Sequence, residues 1–235
     1  MPDVNAHKNT ILYNRHNKVA LVEGNIAKTF ATYSQLDLEI KFHDLFSRFF
    51  LVPEILKVST QTNTIYYEFI KGATLRDRDI LSAFSYSDLI ALHDKIPKLK
   101  GTTRETILTV LFPKDIVDNS LVHGDFRLDN LLVNGKGDIY LIDFENSNYL
   151  FREFDDTYMY LSLLREDKDK AEKYYKHSSL NNQRERVLLS QLFYINGVLI
   201  NAKIDVSQKA PWVLKEAEVI NGLRSTSKAF EPKQR

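Results

Sequence analysis

Along the first 70 positions, apolar residues come in short runs broken by turn chemistry. Thr10 to Tyr13, Lys18 to Val22 and Ile26 to Phe30 are β-rich, with Asn14-Arg15-His16-Asn17 and Glu23-Gly24-Asn25 between them, which predicts a three-stranded meander. Leu38, Phe42, Leu45, Phe46 and Phe49 then recur at helical spacing, predicting an amphipathic helix from about Tyr33 to Phe50. Leu36, Leu38, Ile40 and Phe42 also alternate as a strand would, but the length of the segment favours helix. Ile55 to Ser59 and Thr64 to Ile70 predict two further strands around the polar turn Gln61-Thr62-Asn63. After Lys71-Gly72 the period changes. Ser87 is a candidate N-cap for a helix carrying Leu89, Leu92 and Ile96 and stopped by Pro97. Leu131 to Val133 and Ile139 to Ile142 flank Asn134-Gly135-Lys136-Gly137-Asp138, which predicts a hairpin. From about Asp155 the pattern is helical to the end, with an apolar stretch over 187–200 and a polar, fraying tail over 225–235.

This order predicts an α+β chain: a small β-rich lobe with one helix over residues 1–70, and a larger, mainly helical lobe over 71–235. Composition narrows the functions. The 32 Lys and Arg nearly balance 31 Asp and Glu, so no overall field favours nucleic acid or an anionic membrane. There is no Cys, which excludes disulfides, thiolate metal sites and Cys nucleophiles. The eight glycines form neither G-x-G-x-x-G nor G-x-x-x-x-G-K, and the six histidines form no H-E-x-x-H. The N-terminus has no apolar run of a signal peptide and no 18 consecutive apolar residues occur, so a cytoplasmic protein without a membrane span is expected.

The informative stretch is His123-Gly124-Asp125-Phe126-Arg127-Leu128-Asp129-Asn130, followed across the hairpin by Ile142-Asp143-Phe144-Glu145. An Asp is followed by a cation two residues on and by an Asn five on, and a second Asp waits where the paired strands return to the loop. Carboxylates and a carboxamide are oxygen ligands of the kind Mg²⁺ prefers, and an Asp free of metal can accept a proton from a hydroxyl. Base, cation and metal clamp are the equipment of phosphoryl transfer.

H-G-D-x-x-x-x-N followed by I-D-F-E resembles the aminoglycoside phosphotransferase and choline kinase-like family, relatives of the protein kinases. The resemblance implies a two-lobed protein kinase-like fold and an ATP-dependent, Mg²⁺-requiring transfer of the γ-phosphate to a hydroxyl of a small molecule such as an amino alcohol, sugar or aminoglycoside. It implies Asp125 as catalytic base, Arg127 as a cation beside the moving phosphoryl group, and Asn130 and Asp143 as metal ligands. His123 matches a structural buttress of the loop, Glu145 a residue near the metal, and Asp155 or Asp156 the brace of the loop from the next helix. In the first lobe, Lys28 on the third strand and Glu39 on the helix match the ion pair that aims an ammonium at nucleotide phosphates, with Asp37 as competitor to Glu39. Tyr66-Tyr67-Glu68-Phe69-Ile70-Lys71-Gly72 resembles the hinge, where main-chain groups of Glu68 and Ile70 would meet the adenine. Leu89 to His93 resembles a helix end whose His packs. Two features depart from the family: Asn14 to Asn17 contains no Gly, and only about 90 residues follow Glu145. The alternatives are a protein Ser/Thr kinase, disfavoured by Gly124 in place of Arg and by the lack of an A-P-E-like segment, and a pseudokinase binding module, disfavoured by the presence of Lys28, Asp125, Asn130 and Asp143 together.

Overall fold

The computed structural model describes residues 10–14, 17–104, 117–183, 187 and 190. Strands β1 (Thr10–Asn14), β2 (Lys18–Val22) and β3 (Asn25–Thr29) form the expected meander, and β5 (Thr64–Tyr67) and β4 (Ile55–Ser59) extend it into an antiparallel sheet of order β1-β2-β3-β5-β4. The β2–β3 connection is two residues long with positive φ at both, Glu23 (50°) and Gly24 (80°), the mirror-image turn whose twist suits a hairpin. Helix α1 (Tyr33–Phe46) starts at a capping box in which Thr32 and Gln35 satisfy each other's amides. It ends four residues short of the expected Phe50. Its buried positions, Leu36, Glu39, Phe42, His43 and Phe46, recur every three or four residues, and this period rather than the local alternation won. Phe49, expected on the inner face, is left 41% exposed by the early stop.

Beyond Lys71, β6 (Gly72–Thr74) and the short α2 (Arg78–Ser82) were not legible as elements. Helix α3 (Tyr86–His93) is capped by Ser85, not Ser87, because Ser85 with Asp88 completes a capping box. It stops at His93 rather than running to Pro97. Strand β7 (Ser120–Val122) leads into the catalytic-type loop, which ends in a 3₁₀ turn at Leu128–Asn130; the hairpin of β8 (Leu131–Asn134) and β9 (Ile139–Leu141) follows, with β6 on its open side. Its turn is tied by the Asn134 side chain, which accepts the Lys136 and Asp138 amides at 2.9 Å each. Strand β10 (Asn148–Leu150) pairs with β7, and helices α4 (Glu153–Glu166) and α5 (Lys168–His177) and a 3₁₀ turn at Ser179–Asn182 follow among the described residues. The expected apolar stretch over 187–200 and the tail over 225–235 fall outside the described residues, apart from Val187 and Ser190.

Helix α1 has two jobs. Leu36 packs with Phe30, Ile65 and Tyr67 against the sheet, whereas Phe42 and Phe46 enter the large core with Phe126, Leu131, Leu141 and Phe144. Burying these rings contributes roughly 2–3 kcal/mol each, which makes the helix an apolar link between the lobes. No helix among the described residues is long and apolar enough to cross a membrane.

Candidate active site

Three local conformations build the site. The first is Gly124, at φ +81°, where a Cβ would lie 2.1 Å from the Asn146 carbonyl oxygen; only Gly lets the loop turn there and pass so close. The second is Asp143, a non-Gly residue at φ +72°, a conformation that persists only where the surroundings impose it. Those surroundings are aromatic. Phe144 stacks on Phe46 at 5.5 Å between ring centroids and meets His43 and His123 edge-on at 5.6 and 5.3 Å, so anchoring the next residue aims Asp143. The third is the loop itself: the Asp155 carboxylate accepts the backbone N–H groups of His123 and Gly124 at 2.6 and 2.8 Å.

Of the two candidate braces, Asp155 is therefore the one that holds the loop. Asp156 turns the other way and accepts from Tyr174 and Ser179 at 2.6 and 2.5 Å, with His93 Nδ1 at 2.9 Å. His93 accordingly packs, as expected. His123 donates from Nε2 to the Ile142 carbonyl at 3.1 Å, and burial pulls its pKa down to about 4, which keeps it neutral at pH 7 and fits a buttress.

Lys28, Glu39 and Asp143 are brought together across the lobes. The Lys28 ammonium lies 2.5 Å from Asp143, 3.2 Å from Glu39 and 3.6 Å from Glu145. Burial alone would pull Lys28 down, but the three carboxylates outweigh it and hold it above its ordinary value. Glu39 goes up through burial, against the pull of Lys28. Asp143 is held low because Lys28 overcomes its own burial. Glu145 is pushed up to about 7 by burial, with Lys28 opposing. Asp37, the competitor, lies in α1 but is not in this cluster, since the helical period carries it off the inner face.

The catalytic-type loop places Asp125, Arg127 and Asn130 side by side. Asn130 Nδ2 donates to both the carbonyl and the carboxylate of Asp125 at 2.9 Å, and Arg127 Nε lies 3.1 Å from Asp125 Oδ1. Burial pushes Asp125 up to about 7 although Arg127 opposes it. With its Nδ2 used on Asp125, Asn130 keeps its carbonyl oxygen for a cation. Its main-chain carbonyl accepts the Ile142 N–H at 3.1 Å, tying the loop to the strand end before Asp143. Glu39, Asp143 and Glu145 each offer one oxygen, all within 4.8 Å of one another, with the Lys28 ammonium beside all three. That donor chemistry fits Mg²⁺.

At the segment expected to be the hinge, β5 ends at Tyr67 and not at Ile70, because from Glu68 the chain leaves the ladder. The Glu68 N–H donates to the Glu54 carbonyl at 3.0 Å, and its carboxylate accepts from the Glu54 amide at 2.9 Å. Glu68 therefore has its carbonyl, not its N–H, available for a ligand. Two residues were missed. Tyr67 donates to Glu39 at 2.9 Å from the end of β5, and the buried Asn17 donates to Glu145. The signal for Asn17 was present in the glycine-free turn: a loop that cannot bring its backbone close can still send a polar side chain.

The solved structures that this chain is similar to share this architecture at low identity. The choline kinase LicA from Streptococcus pneumoniae is 15% identical, with 93% of this chain and 94% of that one covered at a TM-score of 0.65. A thermostable mutant of aminoglycoside phosphotransferase APH(4)-Ia, in a ternary complex with ADP and hygromycin B, is 14% identical over 91% and 93% at 0.61. The GDP complex of aminoglycoside 2'-phosphotransferase-IIIa is 16% identical over 97% and 95% at 0.58. These likenesses establish the two-lobed kinase-like fold. No curated protein matches the chain. The expected kinship with the protein kinase-like superfamily holds, but the family model that matches, over residues 23–175, is described as the ABC1 atypical kinase-like domain and not as the aminoglycoside phosphotransferase and choline kinase-like family expected. The chain belongs to the ABC1 atypical kinase-like domain family.

Proposed function

We propose that this protein is an ATP-dependent, Mg²⁺-requiring kinase that transfers the γ-phosphate to a hydroxyl of a small molecule, akin to the acceptors of aminoglycoside phosphotransferases and choline kinases. The observation that carries this reading is the convergence of Lys28, Glu39 and Asp143 in one cluster, with Asp125 held by Asn130 and Arg127 on the adjoining loop. The nucleotide lies between residues 1–70 and 71–235. Its base meets the carbonyl of Glu68 and the main chain of Ile70, and its phosphates compete with Asp143 for the Lys28 ammonium. Asp143 and Asn130 would hold Mg²⁺, with Glu145 nearby, and the chemistry a bound ion would supply there is neutralisation of phosphate charge.

The protein's own groups do the rest. Asp125 accepts the proton of the acceptor hydroxyl, and a pKa near 7 suits a base that must be unprotonated yet receptive. Asn130 orients that carboxylate by binding one of its oxygens. Arg127 stands beside it, where positive charge offsets the phosphoryl group in transit. Glu39 pairs with Lys28 and is itself held by the Tyr67 hydroxyl.

The test is turnover of Mg²⁺-ATP and Mg²⁺-GTP across amino alcohols, sugars and aminoglycosides, with and without the metal. Acceptor-dependent, metal-dependent release of nucleoside diphosphate is the expected result. Nucleotide binding without turnover on any acceptor would instead favour a binding module.

A further inference from the structure

Asn17 directly precedes β2 and closes a stretch, Asn14-Arg15-His16-Asn17, that contains no Gly. In the β2–β3 ladder Val19 stands opposite Lys28, so their side chains share one face of the sheet, and the two-residue period of the strand carries Asn17 to that same face. From the second lobe, Glu145 reaches the same point. Its main chain is held on both sides: the Phe144 ring packs among Phe46, His43 and His123, and the Glu145 carbonyl accepts from Arg104 Nη2 at 3.4 Å. A single side-chain oxygen, Oε2, then makes both contacts. It accepts from Asn17 Nδ2 and lies 3.6 Å from the Lys28 ammonium. An anionic oxygen is thus held between the carboxamide N–H of one residue and the ammonium of another.

We infer that Asn17 binds a nucleotide phosphate, its carboxamide N–H and the Lys28 ammonium together taking the phosphate oxygen whose place the Glu145 carboxylate fills. The inference rests on the proposed nucleotide site at Lys28. A Gly-rich loop covers phosphates with main-chain amides, because a backbone without Cβ approaches closely. A stretch without Gly has to send a side chain, and Asn is the residue here that carries an uncharged N–H donor. Asn17 is 5% exposed, and its Oδ1 has no hydrogen-bond partner among the described residues, so the carboxamide is held through Nδ2 alone. Exchanging Glu145 for a phosphate oxygen keeps that charge-assisted bond and sets a more highly charged anion beside Lys28. Glu145 is then an internal competitor, and nucleotide binding displaces its carboxylate from both donors.

The test is calorimetry of ATP and of adenosine on the full chain, in EDTA and with Mg²⁺, for the wild type, Asn17→Ala, Asn17→Asp, Glu145→Ala and the double variant Asn17→Ala/Glu145→Ala. Asn17→Ala should weaken ATP by at least about tenfold, as for one hydrogen bond to a charged group, and adenosine by less than about twofold. Asn17→Asp keeps the shape of the side chain without its N–H, and should weaken ATP at least as much. In EDTA, Glu145→Ala should bind ATP more tightly than the wild type; an unchanged affinity would overturn the competition. The double variant decides whether Asn17 meets the nucleotide itself, since its tenfold loss should then persist once Glu145 is gone. Disappearance of that loss in the Glu145→Ala background would mean that Asn17 only places Glu145, and would overturn the inference. Equal weakening of ATP and adenosine would overturn it as well. If the wild type binds no ATP, the functional reading fails and this inference with it; if the wild type binds ATP and Asn17→Ala matches it, this inference alone fails.

Discussion

Asp125 is expected to be a residue whose charge the fold tolerates only at a cost. Its ordinary pKa of 3.8 is pushed up to about 7, chiefly by burial, and its side chain is only 12% exposed, so solvent screens little of the effect. A folded-state value above the unfolded one means that the folded chain binds more protons between about pH 4 and pH 7. The associated stability is complete below the unfolded value and is lost as pH rises through 7. About three units correspond to about 4 kcal/mol at pH 8. Asp125→Asn removes that penalty but leaves one oxygen where Asn130 and Arg127 now use two, a loss of about 2 kcal/mol. The net expectation is a gain of about 2 kcal/mol at pH 8, or about 5 °C in Tm for a chain of this size. At pH 5 the wild-type carboxyl is already protonated and the gain disappears. Turnover should meanwhile fall by about 10²–10⁴-fold with nucleotide binding nearly intact. Thermal melts of both proteins at pH 5 and pH 8, alongside turnover, check this. A Tm difference that is the same at the two pH values would refute the reasoning about burial, and more than a tenth of wild-type turnover would refute Asp125 as base.

Asp143→Ala should abolish Mg²⁺-dependent nucleotide binding in calorimetry, since it removes a carboxylate from an ion that takes few protein ligands; unchanged affinity would place the metal elsewhere. Ile70→Pro should weaken nucleotide binding at least about tenfold, because Pro has no N–H to offer the base, with circular dichroism to check that the fold survives. Gly124→Ala should destabilise the protein by about 3 kcal/mol or more, since it sets a Cβ 2.1 Å from the Asn146 carbonyl oxygen at φ +81°; a denaturation midpoint equal to wild type would show that the loop can move aside.

The two-lobed α+β order, the five strands of the first sheet, the hairpin and the motif loop were all legible in the sequence, because each rests on local physics. Alternation, turn residues such as Glu23-Gly24 and Asn134 to Asp138, and the period of α1 act over a few residues. The motif spacing in turn named Asp125, Asn130 and Asp143. Element ends were less legible: Ser85 outcompeted Ser87 as a cap only because Asp88 lay three residues on, and β5 stopped at Tyr67 once Glu68 found Glu54. Tertiary structure alone decided which of two adjacent carboxylates braces the loop. Neighbouring residues on a helix point about 100° apart, so Asp155 meets His123 and Gly124 while Asp156 meets His93, Tyr174 and Ser179, and no local pattern distinguishes them. The same holds for Lys28 and Asp143, 115 residues apart, and for Arg76 between Glu166 and Asp129. Charge pairs across such separations depend on how two lobes and a helix face pack, and that packing is a property of the whole chain.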